Sequence, residues 1–269
     1  KQMGRKRVTE IFPFLIPLRV KQKCFFLGKQ MERDENTYSD TIKEERLPYL
    51  LFKDKSTMIN PNTGMDIIYQ YNKVHNLKLA ARTMNGVLIK PGECFSYFWL
   101  ARHAEENGEK YKDGLIDRDD KLVADKGGGI CQLTNNLFWI FLHTDMSIVE
   151  RHNHDILDFP YPEDGVPEGT DATVSDGWQD LIVRNDTDIT YQVEIEFDEE
   201  CMWIAIYADT KPEYEYRVLA KNGVYYRDGD KVMRRVSLMR DEHDFETGEL
   251  IKEVHLYDNV CEIGYEVEL

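Results

Sequence analysis

No stretch of the sequence is apolar for long enough to cross a bilayer, no two cysteines have CxxC spacing, and the chain is short of positive charge. The first lack excludes a membrane-spanning helix, which needs about 20 consecutive apolar residues. The second leaves five scattered cysteines, Cys24, Cys94, Cys131, Cys201 and Cys261. With no apolar export leader ahead of a small-residue cleavage site, that set leads us to expect reduced thiols in a cytoplasmic protein. The third, a formal net charge of −16, argues against nucleic acid as the principal partner, because phosphate binding needs a basic face. The chain also lacks internal repeats, low-complexity tracts and any organic-cofactor motif.

What is present is enough apolar sequence, 42% of 269 residues, to bury a full core and set disorder aside. We expect a basic, helical and apolar leader and linker over 1–55, a core domain over 56–190 and a β-rich unit over 191–269. The leader is set apart by charge: residues 1–30 carry +7 while the remainder carries −23. It holds two short apolar blocks, 11–18 and 24–27, and Pro13 and Pro17 are expected to break a helix across the first. Two readings follow. The blocks pack on the domain, or residues 5–27 make a peripheral contact with an anionic membrane surface.

Along the chain, 49–52 reads as a short strand or helix start, and the cluster 60–64 as a turn. Val74, Leu77, Leu79 and Met84 recur at helical spacing, predicting a helix over 72–84 that stops at Asn85-Gly86. Residues 89–96 read as strand, Pro-Gly turn and strand, and 102–126 as a polar excursion over the site. From 131 to 142 the sequence is apolar on nearly every side, the mark of a buried helix. Short strands are expected at 147–152, 171–174 and 181–184, with Pro160, Pro162 and Pro167 marking a loop. Alternating strands follow beyond Tyr191, with hairpin turns at Asn222-Gly223, Asp228-Gly229 and Thr247-Gly248. The expected fold class is α+β: a buried cysteine-bearing helix packed on a mainly antiparallel sheet, with a β-rich C-terminal unit.

The chemistry concentrates at Lys126-Gly127-Gly128-Gly129-Ile130-Cys131-Gln132. Gly127, Gly128 and Gly129 permit close approach of a substrate to the backbone, and their amides could line an oxyanion hole. If Cys131 opens the helix, its thiol lies in the field of the helix N-terminus, which favours thiolate. A cysteine nucleophile needs a proton acceptor, and His152 and His154 share one face at strand spacing. Asp171, Asp180 or Asn153 would orient the imidazole. Arg151 is a candidate for a substrate carboxylate, and Gln132 and Ser96 are candidate substrate contacts. A zinc site of Cys131, His152 and His154 is a second reading, and a peptide-binding groove without turnover is a third.

At these residues the chain resembles the VanW family, named from an accessory protein of B-type vancomycin-resistance clusters. The likeness runs through Asn76-Leu77-Lys78-Leu79-Ala80-Ala81, Pro91-Gly92-Glu93-Cys94-Phe95-Ser96, Gly127-Gly128-Gly129-Ile130-Cys131-Gln132-Leu133-Thr134, Glu150-Arg151-His152-Asn153-His154 and Asp171-Ala172-Thr173-Val174. The resemblance implies a role around peptidoglycan or its lipid-linked precursors. It also implies an L,D-transpeptidase-like reaction in which Cys131 attacks the carbonyl of a stem peptide and expels a terminal D-amino acid.

Overall fold

Helices form where apolar spacing and local capping allow them. In the computed structural model, which describes residues 13–117, 122–154, 156–157 and 166–267, they are α1 (Ile16–Met31), α2 (Ile68–Ala81), the single turn α3 (Tyr97–Ala101) and α4 (Cys131–Phe141). A 3-10 turn, Pro13–Leu15, precedes α1. Among the described residues no helix is long and apolar enough to cross a membrane.

The strands form three four-stranded sheets and a hairpin. In the first sheet β1 (Thr37–Tyr38) pairs in parallel with β4 (Glu93–Ser96), followed by β9 (Ile182–Arg184) and β7 (Ser147–Glu150), both antiparallel. The second is antiparallel throughout, in the order β2 (Tyr49–Thr57), β11 (Cys201–Ala208), β10 (Tyr191–Phe197), β3 (Leu88–Ile89). Strands from both sides of residue 190 therefore share one sheet. The third consists of β12 (Tyr214–Asp228), β13 (Lys231–Asp244) and β14 (Leu250–Ile263), with β8 (Ile156–Leu157) parallel to the end of β14. Strands β5 (Asp113–Asp117) and β6 (Leu122–Lys126) make the hairpin. The fold is α+β and its sheets are mainly antiparallel.

The core gathers around α4. Leu133, Leu137, Phe138 and Ile140 are wholly buried, and they share one cluster with Leu181, Val193, Ile204, Ile206 and Leu238. Burying side chains of this size stabilises by about 1.5–3 kcal/mol each. The helix also lies against β2: the Trp139 indole donates to Asp54 at 2.8 Å, and His143 stacks on Phe52 with centroids 3.5 Å apart. Burial pushes His143 down to about 4, so it packs as a neutral ring.

Four expectations change. Residues 16–31 form a helix despite Pro17, because that proline occupies the first turn, where a missing N–H costs nothing. The second helix starts at Ile68 and ends at Ala81, with turns carrying the chain to Gly86 at φ +82°. Residues 171–174 are not a strand, since their hydrogen bonds go mostly to side chains of α4 and β7's neighbours. Asn222-Gly223 is a bulge inside β12 rather than a hairpin turn: Asn222 takes φ +56° and the pairing with β13 shifts register there. The predicted turns at Asp228-Gly229 and Thr247-Gly248 do close the hairpins. Pro160, Pro162, Asp155 and the leader residues before 13 lie outside the described residues.

Candidate active site

Cys131 is the first residue of α4 and is partly exposed. Ahead of it the chain must turn sharply, and Gly127 and Gly129 take φ of +79° and +89°, a region costly for other residues. Gly128 is needed for a different reason. A Cβ there would lie 2.3 Å from the Gly114 carbonyl oxygen, so the loop rests backbone to backbone on β5. Asn76 of α2 fastens the arrangement, donating to Gly128 O at 3.0 Å and to Lys112 O at 2.9 Å, and accepting from Lys112 N.

These contacts decide which amides are free. Gly127 N donates to Lys112 O and Gly128 N to Asp125 O, so neither can serve an oxyanion. The amides of Gly129, Ile130 and Cys131 have no acceptor among the described residues, and no side chain caps the helix. A ready anion-stabilising edge thus lies at the Cys131 thiol.

Of the two histidines, only His154 joins Cys131. Its Nδ1 lies 3.0 Å from Asp171 Oδ2, its backbone N–H donates to the same oxygen at 2.6 Å, and the Cys131 thiol is among the groups that raise its proton affinity. Burial opposes charge on this imidazole, but the bonds to Asp171 and Cys131 prevail and lift it to about 10. His154 therefore holds its proton at neutral pH. Burial would likewise raise Asp171, yet His154 and Arg151 keep its carboxyl below the ordinary range. His152 turns away: its Nε2 is 2.9 Å from Glu150 Oε1, a carboxylate that also receives Asp180 N. With His152 directed there, the zinc reading loses a ligand, and no cluster of three metal-binding side chains occurs among the described residues.

Asp171 is held from three directions. Thr134 of α4 donates to Ala172 O, Asn135 accepts from Ala172 N at 2.7 Å, and Thr173 N donates to His152 O at 2.7 Å. Arg151 completes the clamp. Its guanidinium donates to Asp171 O and Oδ1, to Gly169 O and to Asn259 Oδ1, at 2.7–3.0 Å, and its side chain is only 10% exposed. An arginine so engaged is not available to a substrate carboxylate.

Three more candidates turn out to be structural. Asp180 accepts from Ser96 Oγ and from the amides of Phe98 and Leu181, closing the start of α3, and burial lifts it to about 6. Ser96 caps that helix and is wholly buried. Gln132 donates to Ser56 and Thr57 at the end of β2, seating the first turn of α4.

Sequence reasoning missed Asn76, Thr134 and Asn135, and also Lys73. The Lys73 stem crosses Gly129 so closely that a Cβ there would meet its Cγ at 2.2 Å. Burial pushes this ammonium down to about 8, and no carboxylate pairs with it among the described residues. Tyr97 and Tyr111 are both raised first by burial, and Cys131 is among the groups acting on Tyr97. Burial also pushes Cys24 and Cys261 up to about 11, which leaves them poor nucleophiles. Surface concavities at Phe26–Asp34 and around Trp203 lie away from this chemistry.

A family model described as VanW like protein matches residues 72–207, a span holding every residue of the dyad and its clamp except Asn259. The chain is 46% identical to the Vancomycin B-type resistance protein VanW of Enterococcus faecalis, over 98% of its own length and 95% of that protein's. It is 33% identical to the Uncharacterized protein YoaR of Bacillus subtilis over 42% of its length and 36% of that protein's. No solved structure matches it. The chain belongs to the VanW family.

Proposed function

We propose that this protein is a cysteine-dependent acyl transferase or hydrolase acting on stem peptides of peptidoglycan or its precursors, and that it serves glycopeptide resistance as its Enterococcus relative's name indicates. The observation that carries the chemistry is the line Cys131, His154, Asp171, with the nucleophile at a helix start whose nearest amides are unengaged.

In this reading the Cys131 sulfur bonds to the peptide carbonyl carbon, and the oxygen gathers negative charge against the amides of Gly129, Ile130 and Cys131. As the C–N bond breaks, His154 gives its proton to the departing amine of the D-amino acid. A thioester remains. The amine of a second stem, or water, attacks the thioester carbon, the C–S bond breaks to release the Cys131 thiolate, and the attacking group's proton passes to His154, which restores the starting thiolate–imidazolium pair. Asp171 keeps the imidazole in the tautomer and orientation both steps require.

The test is incubation of the purified protein with a tetrapeptide stem, followed by mass spectrometry of protein and peptide. A covalent adduct on Cys131 and release of the terminal D-amino acid are expected, and both vanish in Cys131→Ala. Binding of the peptide with neither adduct nor release in any variant would replace the enzyme with a binding protein.

A further inference from the structure

The first helix lies outside the chemistry described above, and its surface is unlike that of the rest of the molecule. Over Ile16–Met31 it carries Arg19, Lys21, Lys23 and Lys29 and no acidic residue, in a chain whose net charge is −16. The inward side is short: Met31 is buried, with Val20, Cys24 and Leu27 half-buried. The outward side holds Leu18 and Phe25, two turns apart, with Phe26 beside them; the three are 63%, 61% and 59% exposed. Leu18, Phe25 and Phe26 of these blocks are therefore not packed against the described residues of the domain.

The helix is nevertheless seated. Gly177 fits against Lys23 and the Cys24 backbone so closely that a Cβ would meet Lys23 Cβ at 2.7 Å, and the Lys23 ammonium lies 5.7 Å from the Trp178 ring. The turn it rests on, 175–179, leads into Asp180 and the first sheet. The helix is thus attached to the body on one side and presents aromatic and aliphatic side chains among cations on the other. A soluble partner helix would cover such a face with apolar and acidic groups, and no described residue of this chain does so. A lipid surface meets both demands at once: acyl chains receive Leu18, Phe25 and Phe26, and anionic headgroups receive Arg19 and Lys21. The charge changes sign after the helix, at Glu32, Asp34 and Glu35, which marks where the contact ends.

We propose that α1 docks flat on an anionic membrane surface through Leu18, Phe25 and Phe26, with Arg19 and Lys21 at headgroup level. The proposal is independent of the acyl-transfer reading, since Cys131→Ala is expected to leave it untouched. It is tested by co-sedimenting the 269-residue chain with phosphatidylglycerol-containing vesicles and with pure phosphatidylcholine vesicles. Binding to the first and not the second is expected, falling as salt is raised. Arg19→Glu with Lys21→Glu, and separately Phe25→Ser with Phe26→Ser, each weaken binding by roughly tenfold or more. All four positions face solvent wholly or in part, so thermal unfolding and Cys131 alkylation stay as in the parent and report that the variants fold. Equal binding to both vesicles, no binding to either, or indifference to both variants overturns the proposal. So does a concentration-dependent dimer that the phenylalanine variant dissolves, which would show a second copy covering the face.

Discussion

Arg151 was a candidate for reading a substrate carboxylate, and replacing it with methionine distinguishes that role from the clamp seen in the structure. Methionine keeps much of the stem's volume and its contact with Phe138 and Tyr257, over which the guanidinium lies at 5.5 and 5.0 Å. It removes every donor. Asp171 Oδ1, the Asp171 and Gly169 carbonyls and Asn259 Oδ1 lose a partner together, in a site where Asp171 and Asn259 are 5% and 4% exposed. Removing one member of a buried pair costs about 3–5 kcal/mol, most of it from the charge left behind. In a chain of this size each kcal/mol moves the midpoint by roughly 2–4 °C, so the expected fall is roughly 6–20 °C. Arg151→Lys recovers only part, because one ammonium reaches Asp171 or Asn259 but cannot span both. Differential scanning calorimetry reads the midpoint and iodoacetamide labelling reads the thiol. A methionine variant within about 1 kcal/mol of the parent in stability, yet weaker in peptide binding, would refute the clamp and return Arg151 to the substrate.

Three further outcomes follow from the geometry. At neutral pH His154→Ala slows alkylation of Cys131 by roughly tenfold or more, whereas His152→Ala, directed at Glu150, changes it by less than about twofold; peptide mapping identifies the labelled cysteine. The His154–Asp171 pair sets a pH window. His154, raised to about 10, contributes stability fully present below its ordinary value of 6.5 and lost as pH rises through 10, while Asp171, held low, contributes above 3.8 and loses it as pH falls. Urea unfolding of parent and His154→Ala should therefore differ most between pH 4 and 6.5, and a flat difference across pH would contradict the pairing. Finally, Gly128→Ala is destabilised by about 2–4 kcal/mol, from collision with Gly114, while Gly92→Ala, at φ +79° in open space, costs only about 1 kcal/mol by calorimetry.

The place of Cys131 at a helix start was legible because a glycine run leading into a largely apolar segment forces a turn into a buried helix, and the structure begins α4 at that residue. The choice between His152 and His154 was not legible. Both lie in an extended stretch, and Glu150 draws one ring while Asp171 draws the other, contacts between residues two to seventeen positions apart that no period reveals. Asp171 and Asp180 look alike in sequence, each preceding a short apolar run. What separates them is the partner: Thr134 and Asn135 hold one strand-like segment beside the thiol, and Ser96 takes the other into a helix cap. The start of the first helix at Ile16 escaped because Pro17 was weighed as an interior residue, although at the first turn it favours the helix. Asn222-Gly223 carried a hairpin's signature but lacked a change of partner, since the alternation on both sides belongs to one strand paired to β13.

Asn259, near the end of β14, is the far anchor of Arg151. A ribosome releases the segments bearing Cys131, His154 and Asp171 well before it releases this asparagine. Through that interval the emerging chain carries its thiol without the clamp that fixes Asp171. The hydrogen bonds that seat Arg151 beside Asp171 are therefore complete only once this late strand has paired, so the site is among the last parts of the fold to close.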